Sequence, residues 1–478
     1  MTTPSKNEAS LSAAPFDFAA GCGMLMPMEP KIVPRKEHRI SRKQVSPNAL
    51  RTLYRLHSRG FIAYLVGGCV RDLLLGRTPK DFDIGTNATP GQIKRLFHNC
   101  RLVGRRFRLA HLRFQDEILE VSTFRRSAEP SDVVEPDEAN QGRRHVRHMK
   151  DANGMVLADN IFGTPEEDAL RRDFTINALA YNIADASVVD YCTGLADLKD
   201  RLIRSIGDPR VRFTEDPVRM LRAVRFAASH GFDIETTAWE SIKELCPTIS
   251  RASPSRLYEE IQKLFLLGFA CPTLALLEKS GLLAALFPDL AGWIRERDGR
   301  SEVLKRNLAG IDEMVRGGQG ASVALLLAAL FGPRVEEAAL ARHREGIPRR
   351  QALDETCAGL LEGISKNTQI PGRVGARLNS ILALETSLCR MPPRRPSTLA
   401  GRPEFAETLM CLEIGAGTDG EHRAVLEWWK AFLIENPPAE PADLPADEAP
   451  RKKRRRRRRK PRRRSGDIVQ EEGAAHGR

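Results

Sequence analysis

The segment LVGGCVRDLLLGRTPKDFDIGTNATP, residues 65–90, decides the fold of this chain of 478 residues. Its apolar beginning, AYLV from Ala63, predicts a strand, the Gly-Gly pair a tight turn, and CVRDLLLG a helix. DFDIGT predicts a second strand, and TPGQIKRLF predicts a second helix. A strand, a turn and a helix followed at once by another strand indicate the start of a small α+β domain.

Two acidic residues of this segment, Asp81 and Asp83, flank Phe82 in the second predicted strand. Strand alternation places both carboxylates on one face and the phenyl ring on the other. Neighbouring carboxylates repel each other and favour a bound cation, and Mg²⁺ prefers oxygen ligands. Glu120 is a third acid in an apolar strand, and if the two strands are neighbours the three acids can hold two metal ions. An isolated Asp-x-Asp is more often a solvated turn, but the surrounding motifs favour a metal site.

Gly67 and Gly68 precede a helix that carries Arg71 and Asp72. Glycines let the backbone approach a ligand, and the free amides of a helix start attract a triphosphate, to which Arg71 adds charge. A Gly-Gly pair alone is more often a tight turn. The chain contains neither the GxGxxG of dinucleotide-binding folds nor a P-loop.

Outside this segment, SPNALRTLYRLHSRGF predicts an amphipathic helix that begins at Pro47 and has Ser46 as its N-cap. HLRFQ and EILEVSTF predict a hairpin. From about Glu166 the pattern is helical, apart from a short hairpin near residues 181–191. We therefore expect an α+β head, a mostly helical remainder and disordered termini.

The positive charge of the chain lies in a C-terminal tail. The net charge is +13, and residues 451–464 alone contain thirteen basic residues, so the rest of the chain is neutral on balance. A uniform polycation binds nucleic-acid phosphates without sequence preference, so we expect the tail to bind RNA. The tail begins with Arg451, Lys452, Lys453, Arg454, Arg455 and Arg456.

Composition limits the location of the chain. Its longest apolar stretch, residues 321–331, is shorter than the ~20 residues that span a bilayer, and no secretory signal is visible. Nine cysteines without a CxxC pair indicate reduced thiols. We expect a cytoplasmic protein with no membrane partner.

Three motifs together carry a family resemblance: residues 65–90, RRDFTINALAYN at residues 171–182, and EDPVRMLRAVRFA at residues 215–227. In this order and spacing they resemble the class II branch of the polymerase-β nucleotidyltransferase superfamily. That branch contains bacterial poly(A) polymerases and tRNA CCA-adding enzymes. The resemblance implies a polymerase-β-like nucleotidyltransferase head, followed by an all-α neck and body, that extends RNA 3′ ends.

The resemblance also implies roles for individual residues. Asp81 and Asp83 match metal-binding catalytic aspartates, Glu120 falls where a third acid is expected to help hold two Mg²⁺ ions, and Asp173 is counted with the catalytic acids. The expected nucleotide-binding residues are Gly67, Gly68, Arg71, Asp72, Arg172, Asp173, Asn177, Glu215, Asp216 and Arg219.

Glu215, Asp216 and Arg219 match the motif that faces the incoming base. At positions i and i+3 of a predicted helix, the side chains of Asp216 and Arg219 are neighbours. An aspartate accepts from an exocyclic amino group and an arginine donates to a ring nitrogen, a combination that suits adenine and cytosine but not guanine or uracil. Without the family resemblance, the pair could be an ordinary helix salt bridge.

Two stretches, residues 34–50 and 102–112, resemble bacterial poly(A) polymerases more than CCA-adding enzymes. We therefore expect template-independent addition of AMP from ATP to RNA 3′ ends, with release of pyrophosphate. A tRNA CCA-adding enzyme is the alternative. A second alternative is an RNA-binding protein without catalytic activity. The presence of all three acids, Asp81, Asp83 and Glu120, argues against it. RNA-decay or RNA-chaperone proteins are partners that the sequence leaves open.

The expected domains follow the same resemblance. They are a disordered segment (1–37), the head (38–195), a helical neck with the base-recognition motif (196–260), a helical RNA-binding body (261–436), and a proline-rich linker with the arginine-rich tail (437–478).

Overall fold

The computed structural model of the chain describes residues 29–104, 109–126, 148–150, 156–159, 161–415 and 420–437. The arginine-rich tail, including residues 451–456, lies outside the described residues. The strands are β1 (Lys31–Val33), β2 (Ala63–Val66), β3 (Asp83–Thr86), β4 (Cys100–Val103), β5 (Leu109–Arg113), β6 (Ile118–Thr123), β7 (His148–Lys150), β8 (Val156–Asp159), β9 (Leu179–Asn182), β10 (Ser187–Asp190), β11 (Leu202–Ile203) and β12 (Asp233–Ile234).

Helices occupy most of the chain after the head. They are α1 (Pro47–His57), α2 (Gly68–Leu74), α3 (Pro90–Leu96), α4 (Pro165–Leu170), α5 (Gly194–Lys199), α6 (Pro209–Glu215), α7 (Val218–His230), α8 (Thr236–Leu245), α9 (Pro254–Phe265), α10 (Ala270–Ser280), α11 (Leu282–Leu286), α12 (Pro288–Glu296), α13 (Arg300–Arg316), α14 (Val323–Arg344), α15 (Arg349–Ser365), α16 (Gly372–Leu388), α17 (Pro396–Ala400), α18 (Phe405–Gly415) and α19 (Gly420–Glu435). The expectation of an α+β head followed by helices is confirmed.

The head contains an eight-stranded mixed sheet in the order β1-β10-β9-β2-β3-β6-β5-β4. Most neighbours are antiparallel, but β3 and β6 run parallel, with Asp83 opposite Glu120. Because these two residues occupy the same register position on adjacent strands, the topology places two of the three predicted acids side by side.

The predicted local elements are present. Ser46 caps α1, since its hydroxyl oxygen accepts the Ala49 N–H at 3.1 Å. The two predicted hairpins are β5–β6 and β9–β10. The strand predicted from DFDIGT begins only at Asp83, so Asp81 precedes it.

The expectation of disorder through residue 37 is wrong at its end. Lys31–Val33 form β1, which pairs antiparallel with β10 at the edge of the sheet. The strand has no alternation of buried and exposed side chains, since Lys31 and Ile32 are both exposed. Backbone pairing with an existing strand, and not a local pattern, orders this segment.

The head and the helices share one apolar core. Leu65 of the sheet, Phe213 and Leu221 of the next helices, and Leu326 of α14 all belong to the same buried cluster. Among the described residues, no helix combines the length and the apolarity needed to cross a membrane. The sheet and the neck helices are therefore packed together around the cleft described below.

Stability should fall with rising pH because of Glu385 on α16. Burial raises the pKa of Glu385 to about 8, and the nearby Glu336 carboxylate adds to this shift. The folded chain therefore keeps a proton that the unfolded chain releases near the ordinary value of 4.5. Stability from this group is full below that value and is lost as pH rises toward about 8.

Urea unfolding at a series of pH values checks this prediction. Glu385→Gln should remove most of the decline, because glutamine does not titrate. Equal slopes in the two proteins would contradict the assignment.

Candidate active site

A cleft of about 590 Å³ separates the head from α7 and α9. It brings together nine of the predicted residues: Gly68, Arg71, Asp81, Asp83, Arg172, Asp173, Asn177, Asp216 and Arg219. Four others, Gly67, Asp72, Glu120 and Glu215, contact or adjoin these residues and do not line the cleft itself. The predicted site is thus one continuous surface.

The turn between β2 and α2 requires a glycine at its first position. Gly67 has φ +79°, and a Cβ there would lie 2.6 Å from Nη1 of Arg172. A Cβ at Gly68 would make an ordinary contact, 3.5 Å from the Arg71 side chain. Gly67 therefore allows Arg172 to pack against the turn, whereas Gly68 is not required for packing.

The acids on the head side repel one another. Burial raises the pKa of Asp83 to about 6, the carboxylate of Glu120 adds to the shift, Arg172 opposes it, and Asp81 adds a smaller contribution. Phe82 between the two aspartates is buried, as strand alternation predicts. Glu120 also lies 3.4 Å from the imidazole of His111 on β5.

These carboxylate oxygens suit Mg²⁺ in chemistry, and their repulsion would be relieved by a cation. Within the described residues, however, no three His, Cys, Asp or Glu side chains are grouped closely enough to enclose a metal ion by themselves. An ion held here would have to complete its coordination with oxygens of a substrate or with water.

Asp173 connects the head to α7. Arg222 Nε donates to its carboxylate at 2.6 Å, and the Asn177 side-chain amide donates at 3.0 Å. Burial alone would raise the pKa of Asp173, but the charge of Arg222 and these hydrogen bonds hold that pKa well below its usual range. The carboxylate is ionised and largely satisfied by protein donors. Its catalytic assignment remains a prediction.

Asn177 extends this network to the glycine turn. Its side-chain oxygen accepts from Arg71 at 2.7 Å, and Arg71 forms an ion pair with Asp72 at 2.8 Å. Arg172 donates to the Asn177 carbonyl at 3.3 Å and to Asp168 at 3.2 Å. The two arginines expected to contact phosphates are therefore held in place by the protein.

The prediction that Asp216 and Arg219 share one helix is wrong. Helix α6 ends at Glu215, Asp216 is extended with φ −149°, and α7 begins at Val218. Pro217 causes the break, because a residue before proline is pushed out of the helical region. The two side chains still line the same cleft, since the Arg219 N–H donates to the Asp216 carbonyl at 3.0 Å.

Both side chains of this motif already have protein partners. Arg256 of α9 donates to the two Asp216 carboxylate oxygens at 2.9 and 2.7 Å. Arg219 donates to the Arg212 carbonyl at 2.9 Å and to Glu215 at 3.4 Å. The acceptor and the donor are therefore oriented before any ligand binds.

The sequence analysis missed several residues of the cleft. Arg222 and Arg225 follow Arg219 at intervals of three residues along α7, a signal that was visible in EDPVRMLRAVRFA. Arg256 and Lys263 come from α9 and have no local signal. The missed lining residues are Lys80, Arg222, Arg225, Phe226, Arg256, Lys263 and Leu267.

Each of the six cleft arginines pairs with a different acid. The pairs are Arg71–Asp72, Arg172–Asp168, Arg219–Glu215, Arg222–Asp173, Arg225–Glu260 and Arg256–Asp216. A guanidinium has five N–H donors, so a paired arginine can still donate to a phosphate. The wall is thus an array of hydrogen-bond donors held in place by ion pairs.

Comparisons with known proteins find relatives along most of the chain. Family models described as "Poly A polymerase head domain", "Probable RNA and SrmB- binding site of polymerase A" and "Polymerase A arginine-rich C-terminus" match residues 63–204, 231–294 and 345–464. Poly(A) polymerase I of Escherichia coli O6:H1 is 41% identical over 429 residues, which cover 88% of this chain and 90% of that protein.

Proteins of the CCA-adding type are also similar. The CCA-adding enzyme of Leuconostoc mesenteroides is 38% identical over 224 residues, 47% of this chain and 51% of that enzyme. The crystal structure of the Bacillus stearothermophilus CCA-adding enzyme in complex with CTP matches with a TM-score of 0.57 and 26% identity, covering 82% of this chain and 83% of that one. The predicted nucleotidyltransferase fold is thereby confirmed.

Gly67→Ala should disturb the cleft specifically. The substitution places an L side chain at a positive φ and pushes Arg172 away, so we expect a loss of about 1–3 kcal/mol of stability. Gly68→Ala is the matched control, because its Cβ has room and alanine favours a helix. Thermal melts of both variants test this prediction, and equal melting temperatures would contradict the requirement for glycine at position 67.

Proposed function

The chain belongs to the family of bacterial poly(A) polymerases, and on that premise we propose that it adds AMP from ATP to RNA 3′ ends without a template. The RNA 3′ oxygen bonds to the α-phosphorus of ATP, the bond to the β-phosphate bridging oxygen breaks, and pyrophosphate leaves. The observation that carries the proposal is one cleft that holds both the acid pair Asp81 and Asp83 and the base-recognition pair Asp216 and Arg219.

The head-side residues suit a triphosphate. Gly68 lines the cleft at the start of α2, where backbone N–H groups have no helical acceptor. Arg71 and Arg172 flank this turn, and their networks with Asn177 fix their guanidinium groups. Donors that are held in position before binding need no reorganisation when charge develops on the phosphates.

The acids would hold the metal ions. We assign two Mg²⁺ ions to Asp81 and Asp83, with Glu120 as the third acid beside Asp83. Bound there, the ions would activate the attacking hydroxyl and neutralise charge on the leaving pyrophosphate.

Base selection falls to Asp216 and Arg219. Each carboxylate oxygen has two acceptor sites, so Asp216 can keep Arg256 and still accept from an exocyclic amino group. Arg219 can donate to the neighbouring ring nitrogen. Adenine and cytosine present this combination, whereas guanine and uracil do not.

A tRNA CCA-adding enzyme is the second candidate, because this base-recognition pair fits cytosine as well as adenine. A solved CCA-adding enzyme with the same fold contains CTP. The coverage of the relatives favours poly(A) addition: the poly(A) polymerase match extends over 88% of the chain and the CCA-adding match over 47%.

The proposal includes RNA contact by residues 451–456 of the tail, supported by their uniform charge. It also includes a cytoplasmic location. This location is supported by a sequence of nine cysteines without a CxxC pair, a composition typical of a reducing compartment.

Asp81→Ala and Asp83→Ala should each reduce nucleotide addition by several orders of magnitude, because positioning and charge stabilisation carry most of this chemistry. RNA binding and melting temperature should change little. Asp298→Ala is the control, since this exposed aspartate lies outside the cleft. Near-normal turnover in either active-site variant would exclude the acid assignment.

Nucleotide choice distinguishes the two candidate functions. A generic RNA and a tRNA that lacks its CCA end are each offered ATP alone, CTP alone and both. We expect long tails on the generic RNA with ATP alone, and poor use of UTP and GTP. Addition of two C and one A to the tRNA, followed by arrest, would favour the CCA-adding alternative.

A further inference from the structure

The two lysines of the cleft differ from its arginines. Each arginine is engaged with an acid of its own, as described above. Lys80 and Lys263 line the same cleft, and among the described residues neither has a hydrogen-bond or ion-pair partner. An ammonium group that no acid neutralises is the part of the wall that carries free charge for a ligand.

Lys263 has an exposed apolar neighbour. It lies in the last turn of α9, and Leu267 follows it four positions later, just beyond the helix. Leu267 lines the cleft although 41% of its surface is exposed. Leu267 therefore offers an apolar surface beside Lys263 that a ligand bound in the cleft would cover.

The backbone holds Leu267 in this position. The Leu266 N–H donates to the Gln262 carbonyl at 2.9 Å, which closes the helix. On the other side, Arg316 of α13 donates to the Gly268 carbonyl at 3.2 Å, and Gly268 has φ +82°. The backbone on both sides of Leu267 is therefore held in place.

A cation beside an apolar surface matches the two parts of a nucleotide, namely a phosphate and the flat face of a base. The incoming ATP has its own partners, since Arg71 and Arg172 lie by its phosphates and Asp216 and Arg219 by its base. A second nucleotide in the same cleft is the one that provides the attacking hydroxyl. We propose that Lys263 and Leu267 form the subsite for the 3′-terminal nucleotide of the RNA.

This inference rests on the proposed function. Both residues lie within residues 231–294, which match the family model described as a probable RNA-binding site. The inference assigns contact with one nucleotide to two side chains of that segment. Lys263 contacts the phosphate, and Leu267 supports the base.

The test uses the full chain, ATP and a short unstructured RNA. Lys263→Gln should raise the KM for RNA roughly tenfold, the size of one charge-assisted hydrogen bond, and leave the KM for ATP unchanged. The slope of log affinity against log salt should shrink by about 0.7, the value for one phosphate contact on a single strand. Lys263→Arg should keep both properties.

Lys279→Gln is the matched control. Lys279 is exposed, belongs to the same family-model segment, has no partner among the described residues and lies outside the cleft. It should leave the KM for RNA unchanged. An effect as large as that of Lys263→Gln would show that general charge, and not this subsite, binds the RNA.

Leu267→Ala should raise the KM for RNA severalfold with an unchanged salt slope. On an RNA whose terminal nucleotide lacks its base, wild type and Leu267→Ala should be equal, because the leucine then has nothing to support. A persistent difference on that RNA, or an unchanged KM in either cleft variant, would overturn the subsite. A wild-type protein that does not extend RNA with ATP would instead overturn the proposed function.

Discussion

The ion pair between Asp173 and Arg222 is the interaction on which the arrangement of the cleft depends. Asp173 belongs to the head and Arg222 to α7, and their closest atoms are 2.6 Å apart. The Asp173 carboxylate is buried, whereas the Arg222 side chain is one-third exposed, so removal of Arg222 would leave a buried carboxylate without its cation. The head therefore cannot move away from α7 without exposing or stranding a charge. Through Asn177 the same carboxylate also fixes Arg71, so α7, Asn177 and the arginine of α2 form one connected unit.

The sheet sets the other half of the site. All but one of its strand pairs are antiparallel, and the parallel pair β3–β6 is the one that carries Asp83 and Glu120 in register. Asp81 lies just before β3, outside the ladder, so it can approach a ligand without disturbing strand pairing. The raised pKa of Asp83 reflects the strain of this arrangement: burial and two nearby acids all disfavour its charged form, and only Arg172 opposes them. The acids of the head therefore repel one another, whereas the acids that face α7 and α9 are paired with arginines.

The sequence predicts those elements whose stabilising contacts lie close together along the chain. Helix α1, the turn after β2 and the hairpin β5–β6 depend on neighbours within a few residues, and their patterns identified them. The strand β1 depends on pairing with β10, some 155 positions away, so no local pattern announces it. The i, i+3 spacing of Asp216 and Arg219 predicts one helix, but Pro217 restricts the residue before it, and this restriction breaks the helix at Asp216. Arg256 and Lys263 enter the cleft only because α9 packs against α7, which is a tertiary fact.

The arginines of the cleft are paired within the protein. Six arginines line the walls, but six different acids balance them. Asp81 and Asp83 line the cleft on the head side, and Glu120 adjoins Asp83 on the neighbouring strand, so the acids without an arginine partner among the described residues lie together. The arginines therefore act through oriented N–H donors and not through net charge, which gives directional recognition but little neutralisation. The place where the protein leaves like charges uncompensated is beside the carboxylates of Asp83 on β3 and Glu120 on β6, where burial and the mutual repulsion of the two groups raise the pKa of Asp83. In the proposed function, a divalent cation that enters with ATP would relieve that repulsion at this position.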